Sequence, residues 1–282
     1  MAEKYMLASR KNKKEGTIIK VGNISIGGKD KVIIAGPCSV EKNMVDISVL
    51  LKKAGADMVR AGAYKPRTSP YDSQGLGLEG LKLLEKSRKK TGLPIVTEAT
   101  GIYRPTEDPK NYEKVLENVI LYSDIIQVGA RNAQSFDFLS TLGHMTRRSK
   151  KPILLKRGLS QSIDEFLLSA EYILKQGNPN VILCLRGISP KTDATRNTID
   201  VEDIKILKQK THLPIIFDPS HACGRRDMIE ELSRKAIALE ADGLMIEAHP
   251  KPDSATSDAY QTIDIETLKR IIKYAKKDES LN

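Results

Sequence analysis

Two rhythms of apolar residues alternate along this chain. Short apolar runs at residues 32–35, 58–59, 95–96, 125–128, 153–155, 181–185, 215–217 and 244–246 are separated by longer stretches. Those stretches, 41–54, 77–91, 110–121, 132–149, 161–176, 201–211, 226–240 and 263–277, carry apolar positions at the helical period. Strand, helix, strand repeated eight times predicts an α/β fold, a closed (β/α)8 TIM barrel. Pro94, Pro152 and Pro214 each stand just before a strand run and end the preceding helix. Two near-copies, Thr91-Gly92-Leu93-Pro94-Ile95 and Thr211-His212-Leu213-Pro214-Ile215, mark the same junction in different repeats. Ahead of the first run, residues 17–21 and 24–26 flank Gly22 and Asn23 and predict a small hairpin that plugs the bottom of the barrel. The expected division is an extension over residues 1–29 and one catalytic barrel over 30–282.

Just beyond the runs sit Cys38, Arg60, Glu98, Arg131, Lys156, Arg186, His221 and Glu247. A closed parallel barrel gathers the C-terminal ends of its strands on one face, so these residues are expected to share one pocket, the active site. Arg60, Lys65, Arg67, Arg131, Lys156 and Arg186 would focus a positive field there on small, multiply charged anions. Residues 101–110 follow Glu98 on the same face and are more than the architecture needs. They read either as a cover for the pocket or as a solvated turn.

Composition narrows the function classes. At 282 residues the chain exceeds a typical barrel of about 250 by a short extension only. No apolar stretch approaches the roughly 20 residues that span a bilayer, and residues 1–14 lack an apolar segment suited to a signal sequence, so a cytoplasmic protein without membrane attachment is expected. Three cysteines without paired spacing agree with a reducing compartment. The net charge of +10 invites a polyanionic partner. However, the lysines are spread over predicted helices and aromatic residues make up only 5% of the chain, which leaves no stacking platform and argues against nucleic acid.

His221, Glu247 and Asp258 lie at or beyond the last two strand ends, and Cys38 follows the first, its neighbour in a closed barrel. One thiolate, one imidazole and two carboxylates suit manganese, iron, cobalt or zinc better than magnesium. Spacing alone leaves Cys38 readable either as a ligand or as a small packed side chain. The strongest local motif is Arg60-Ala61-Gly62-Ala63-Tyr64-Lys65-Pro66-Arg67-Thr68-Ser69-Pro70. Small residues let its backbone approach a ligand, Pro66 stiffens it, and Arg67, Thr68 and Ser69 offer a guanidinium fork and two hydroxyls to a phosphate.

Seven motifs in order carry a resemblance. They are Ala35-Gly36-Pro37-Cys38-Ser39-Val40-Glu41, Lys65-Pro66-Arg67-Thr68-Ser69, Gly129-Ala130-Arg131-Asn132, Leu155-Lys156-Arg157-Gly158, Thr195-Arg196-Asn197-Thr198, Asp218-Pro219-Ser220-His221-Ala222 and Ile246-Glu247-Ala248-His249-Pro250. From about residue 17 onward the chain resembles the short microbial branch of 3-deoxy-arabino-heptulosonate 7-phosphate synthase. That family condenses phosphoenolpyruvate with erythrose 4-phosphate to open the shikimate pathway toward chorismate and the aromatic amino acids. The resemblance implies Cys38, His221, Glu247 and Asp258 as metal ligands, with manganese first among the candidate ions. It implies Arg60 and Lys65 at the carboxylate of phosphoenolpyruvate, and Ala130, Arg131, Lys156 and Arg186 around its phosphate. Arg67, Thr68 and Ser69 would receive the phosphate of the sugar. Lys65 and Glu98 would be catalytic, and which of them, or which water, handles each proton stays open.

The chain departs from the family pattern at Ala61, where a second glycine is usual, at Tyr64 for phenylalanine, and at Leu185 for a glutamate beside Arg186. Leu185 and residues 101–110 leave room for a paralogue using another aldose phosphate, such as arabinose 5-phosphate in 3-deoxy-octulosonate 8-phosphate synthase. A metal-dependent aldolase or a ligand-sensing barrel is the rival from another class. Barrels of this family associate as dimers or tetramers, so a homodimer or homotetramer is expected. The roughly 30 residues before the barrel are too few for the added regulatory domains of some relatives, so no inhibition by free phenylalanine or tyrosine is expected.

Overall fold

The computed structural model describes residues 5–65, 69, 71–100, 110–189 and 195–277. Arg67, Thr68 and residues 101–109 lie outside them. The strands are β1 (Ile19–Val21), β2 (Ile24–Ile26), β3 (Val32–Gly36), β4 (Met58–Arg60), β5 (Ile95–Ala99), β6 (Ile125–Val128), β7 (Ile153–Lys156), β8 (Val181–Leu185), β9 (Ile215–Phe217) and β10 (Gly243–Glu247). The helices are α1 (Met44–Ala54), α2 (Gly77–Thr91), α3 (Lys110–Tyr122), α4 (Phe136–Thr146), α5 (Ile163–Leu174), α6 (Asp203–Lys210), α7 (Pro219–Cys223), α8 (Ile229–Ala238) and α9 (Ile265–Ala275).

Among the described residues, eight strands pair in parallel in the order β10-β3-β4-β5-β6-β7-β8-β9 and close into a barrel. β1 and β2 form the expected hairpin, with Val21 opposite Ile24. Five barrel strands, β3, β4, β5, β7 and β10, run further than the apolar runs did, because Gly36 and the polar residues at the other ends stay in the ladder. Glu98 pairs with Gln127, Lys156 with Cys184, and Glu247 with Gly36. The expected helix over 132–149 shortens to α4, since a 3-10 turn takes Ala130–Asn132 and the helix starts only after Ser135. The five-residue α7 was not expected from apolar period. It forms because Asp218 accepts from the His221 N–H as N-cap and Pro219 occupies the first turn.

Successive side chains of a strand point to opposite faces. Ile33, Ala35, Val59, Ile126, Leu155, Leu183, Leu185, Phe217 and Ile246 therefore meet helix residues such as Ile47, Leu51, Leu81, Leu139, Ile173 and Leu268 in an outer core. Ile34, Met58, Val96, Ile125, Leu154, Cys184, Ile216 and Met245 point inward. Ile19, Val21 and Ile26 of the hairpin join this inner core. Just before β1, the Thr17 N–H donates to the His212 carbonyl at 2.7 Å, ahead of the start of β9. The hairpin thus plugs the N-terminal end of the barrel, as its sequence predicted.

Leu185 corrects an expectation. It is fully buried in the outer core beside Leu183 and faces the helix layer, so it neither removes a charge from the pocket nor shapes it.

Candidate active site

Counting two residues past each inward core side chain gives the floor of the site. The ring is Gly36, Arg60, Glu98, Gln127, Lys156, Arg186, Asp218 and Glu247, at the C-terminal ends of β3 to β10 in turn. Five of these were expected at the strand ends. For β3, β6 and β9 the expected Cys38, Arg131 and His221 lie further along, on the turns above the ring, and Gly36, Gln127 and Asp218 hold the strand-end positions instead.

Cys38, His221, Glu247 and Asp258 converge, with one donor atom from each lying within 4.8 Å of all the others. The Cys38 thiol donates to Asp258 Oδ2 at 2.9 Å, and His221 Nε2 lies 3.4 Å from Glu247 Oε1. Each acidic donor has its own cation. Lys65 Nζ donates to Cys38 Sγ at 3.1 Å, Arg60 to Glu247 Oε1 at 2.8 Å, and Arg196 to Asp258 Oδ1 at 2.9 Å. Burial, reinforced by Glu247, pushes the Cys38 thiol up to about 11. Burial raises the Asp258 and Glu247 carboxyls too, but the Cys38 hydrogen bond and His221 for the first, and His221 and Arg60 for the second, hold both below the ordinary range.

Asp218 organises the next layer. It is fully buried, takes the Lys156 ammonium at 2.5 Å and the His221 Nδ1–H at 2.8 Å on Oδ2, and accepts the His221 backbone N–H at 2.9 Å on Oδ1. Burial would raise its carboxyl; His221 and Lys156 overcome that and hold it well below the ordinary range. Burial lowers the His221 imidazole despite Asp218 and Glu247. A neutral ring with Nδ1–H fixed by Asp218 presents the Nε2 lone pair toward the other donors, which is how a histidine is prepared for a metal. A thiolate, an imidazole and two carboxylates at these distances fit a divalent transition ion.

The cations expected around an anion are largely where the strand ends put them. Arg60, Lys65, Lys156 and Arg186 are each at most 6% exposed. Burial pulls the Lys65 amine down, yet Cys38 and Glu98 outweigh it and the amine is raised, so it carries a proton. Glu98 lies 4.0 Å from Lys65 Nζ and accepts from Gln127 at 3.2 Å. Gly129 leaves room for that carboxylate: a Cβ there would fall 2.1 Å from Glu98 Oε1. Behind Arg186, the Gly187 N–H donates to Asp200 at 2.7 Å, and Arg157 holds Asp200 at 3.1 Å. Arg157 of the Lys156-Arg157 pair is therefore a brace. Ala130 and Arg131 form the 3-10 turn after β6, where Arg131 keeps an exposed side chain, unlike Arg60, Lys65, Lys156 and Arg186. Ser69 caps its own turn, accepting the Tyr71 N–H at 3.2 Å.

Sequence reasoning missed Asp218, Gln127, Arg196 and Gln261 as parts of the site. Asp218 had a local signal, an acidic residue before Pro219 and three positions ahead of His221. Arg196 stood in one of the seven motifs but without a role, and Gln127 and Gln261 had no local signal.

A family model described as the DAHP synthetase I family matches residues 8–281. The chain is 47% identical over 275 residues to the phospho-2-dehydro-3-deoxyheptonate aldolase of Thermotoga maritima, covering 97% of this chain and 77% of that protein. It is 28% identical over 276 residues to the 2-dehydro-3-deoxyphosphooctonate aldolase of Syntrophotalea carbinolica, covering 90% and 93%. A crystal structure of the Thermotoga maritima phospho-2-dehydro-3-deoxyheptonate aldolase (DAHP synthase) superposes with a TM-score of 0.89 at 45% identity, covering 98% of this chain and 77% of that one. A match across nearly the whole barrel, together with the strand-end cations and the four clustered donors, places this chain in the DAHP synthetase I family.

Proposed function

We propose that the protein is a 3-deoxy-arabino-heptulosonate 7-phosphate synthase, a transferase that joins phosphoenolpyruvate to erythrose 4-phosphate and releases inorganic phosphate. The observation that carries this reading is the pairing of a four-donor metal cluster with buried cations on two sides of it, Arg60 and Lys65 on one and Lys156 and Arg186 on the other, in a member of this family. Phosphoenolpyruvate brings up to three negative charges, and taking them out of water costs more than binding returns unless several cations meet them.

In this reading Arg60 and Lys65 hold the carboxylate of phosphoenolpyruvate. Lys156 and Arg186 hold its phosphate, with Ala130 and Arg131 above. Ser69, with Arg67 and Thr68, receives the phosphate of the sugar. Cys38, His221, Glu247 and Asp258 hold a divalent ion, manganese foremost, with iron, cobalt and zinc suited to the same donors. Once bound, that ion supplies Lewis acidity to the sugar aldehyde. The enol methylene carbon attacks the aldehyde carbon, and Lys65, protonated and next to the cluster, supplies the proton for the resulting alkoxide. Water adds to the cationic carbon that bears the phosphate ester, and Glu98, 4.0 Å from Lys65, takes the proton that water gives up. The hemiketal then collapses: its carbon–oxygen bond to phosphate breaks, the hydroxyl proton leaves with the phosphate as the ketone forms, and Glu98 returns its proton to Lys65. The functional unit is the barrel over residues 30–282 with its 1–29 extension, working in the cytoplasm as a homodimer or homotetramer.

The test follows the enol absorbance of phosphoenolpyruvate with chelator-treated enzyme, with and without manganese, offering erythrose 4-phosphate and arabinose 5-phosphate in parallel. Metal-dependent loss with the four-carbon sugar, accompanied by phosphate release, is expected. Turnover only with the five-carbon sugar would move the protein to the octulosonate branch.

A further inference from the structure

Residues 196–197 reach three of the four donor residues at the metal cluster. The Arg196 guanidinium donates from Nη1 to Asp258 Oδ1 at 2.9 Å and to Gln261 Oε1 at 2.6 Å. Gln261 Nε2 passes the link on, donating to Glu247 Oε2 at 2.5 Å. Asn197 Nδ2 donates to the His221 carbonyl at 2.6 Å. Cys38 is tied in through the other oxygen of Asp258.

These bonds sort the carboxylate oxygens. Asp258 has Oδ1 taken by Arg196 and turns Oδ2 toward Cys38. Glu247 has Oε2 taken by Gln261 and turns Oε1, to which Arg60 also donates, toward His221 Nε2. Asp258 also sits in the left-handed backbone region at φ 55°. A non-glycine residue keeps that conformation when its surroundings over-determine it.

Arg196 is itself held firmly. Its N–H donates to the Cys223 carbonyl at 3.0 Å. Gly224 passes so close that a Cβ there would fall 2.3 Å from Arg196 Cβ. Ile188 and Thr198 exchange backbone hydrogen bonds of 3.0 and 2.9 Å at the root of the same segment. Gln261 is fully buried and Asn197 is 4% exposed.

We propose that Arg196, acting directly on Asp258 and through Gln261 on Glu247, is the positioning residue of the metal site and presets its donors before the ion arrives, with the neighbouring Asn197 bracing His221. This rests on the reading of Cys38, His221, Glu247 and Asp258 as the ligands. Two effects of Arg196 oppose each other. Its positive charge repels a divalent cation, and its hydrogen bonds remove the cost of ordering two carboxylates. Partners behind metal ligands typically contribute 10- to 100-fold to affinity, so positioning outweighs repulsion and removing Arg196 weakens binding.

The experiment titrates cobalt into chelator-stripped protein, reading the thiolate-to-cobalt absorption and competition with a chromophoric chelator. It compares wild type with Arg196→Met, Arg196→Lys and Gln261→Met, and records metal-free melting for each. The expected result is cobalt affinity about 10- to 100-fold weaker in Arg196→Met and Gln261→Met, with partial recovery in Arg196→Lys. A further variant carrying both Arg196→Met and Gln261→Met should lose less than the product of the two, since both cut one chain of bonds. Unchanged or tighter binding in both single variants would overturn the proposal. Should Arg196→Met fail to fold, Gln261→Met decides alone, because it severs the same link to Glu247. Wild-type protein that bound no cobalt would instead overturn the ligand assignment itself, and this proposal with it.

Discussion

Asp218 shows how one side chain serves two parts of a site. Its carboxylate offsets the buried Lys156 ammonium and fixes the tautomer of His221. In Asp218→Asn the shape is kept but a buried cation loses its partner, an effect on the order of 3–5 kcal/mol. Because the Asp218 carboxyl is held below its unfolded value of about 3.9, that stability is present above about pH 4 and fades as pH falls further. Urea unfolding of metal-free protein should therefore show a wide gap between wild type and Asp218→Asn at pH 7 that narrows on acidification below about pH 4. A gap independent of pH would mean Asp218 is not ionised in the folded protein. Asp218 is also the residue that a closer look at the chain would have found. Its capping position before Pro219 is a local pattern, whereas the parts played by Gln127 and Gln261 depend on which strands become neighbours.

At the scale of elements, the strand-to-turn junction after β6 has the sharpest steric limit near the chemistry. Gly129 lies against the Glu98 carboxylate from the neighbouring β5, and an added methyl would claim the space of Oε1. The atom in the way is the far end of a side chain that can swing, so Gly129→Ala should change melting little. It should cut turnover by about 100-fold, the usual result of displacing a catalytic group by an ångström. Normal kcat in that variant would remove Glu98 from the reaction. Element positions were legible because the apolar runs and the helical stretches differ in period. Their ends were less so, since Glu98, Lys156 and Glu247 remain in the ladder although they are charged. Facing direction mattered more than proximity for Leu185. It precedes Arg186 in sequence and points to the opposite side of the sheet, a difference that counting in twos from Cys184 exposes.

For the whole molecule, the barrel and its plug form one packed body. Ile19, Val21 and Ile26 lie in the inner core among the strand residues, and each buried aliphatic side chain of this size contributes about 2 kcal/mol. Deleting residues 1–29 should thus lower stability by roughly 6 kcal/mol and expose apolar surface, which thermal melting and dye binding would register. A deletion that melts like the full chain would mean the extension is an ornament. The barrel, the plug and the cation-lined end are all readable in the sequence, because each follows from period and from closure. The frame of Arg196, Asn197 and Gln261 is not, because its hydrogen bonds join segments 14 to 65 positions apart that only the folded chain brings together.

The sealed floor has a consequence for traffic. Among the described residues, the hairpin's aliphatic side chains fill the lower end of the barrel, so no route runs through that end to the strand-end residues. Whatever reaches Arg60 or Lys156 comes over the rim and departs the same way. Of two substrates that stack in such a barrel, the deeper must enter before the shallower, and a product assembled from both must clear the rim before the next deep substrate can descend.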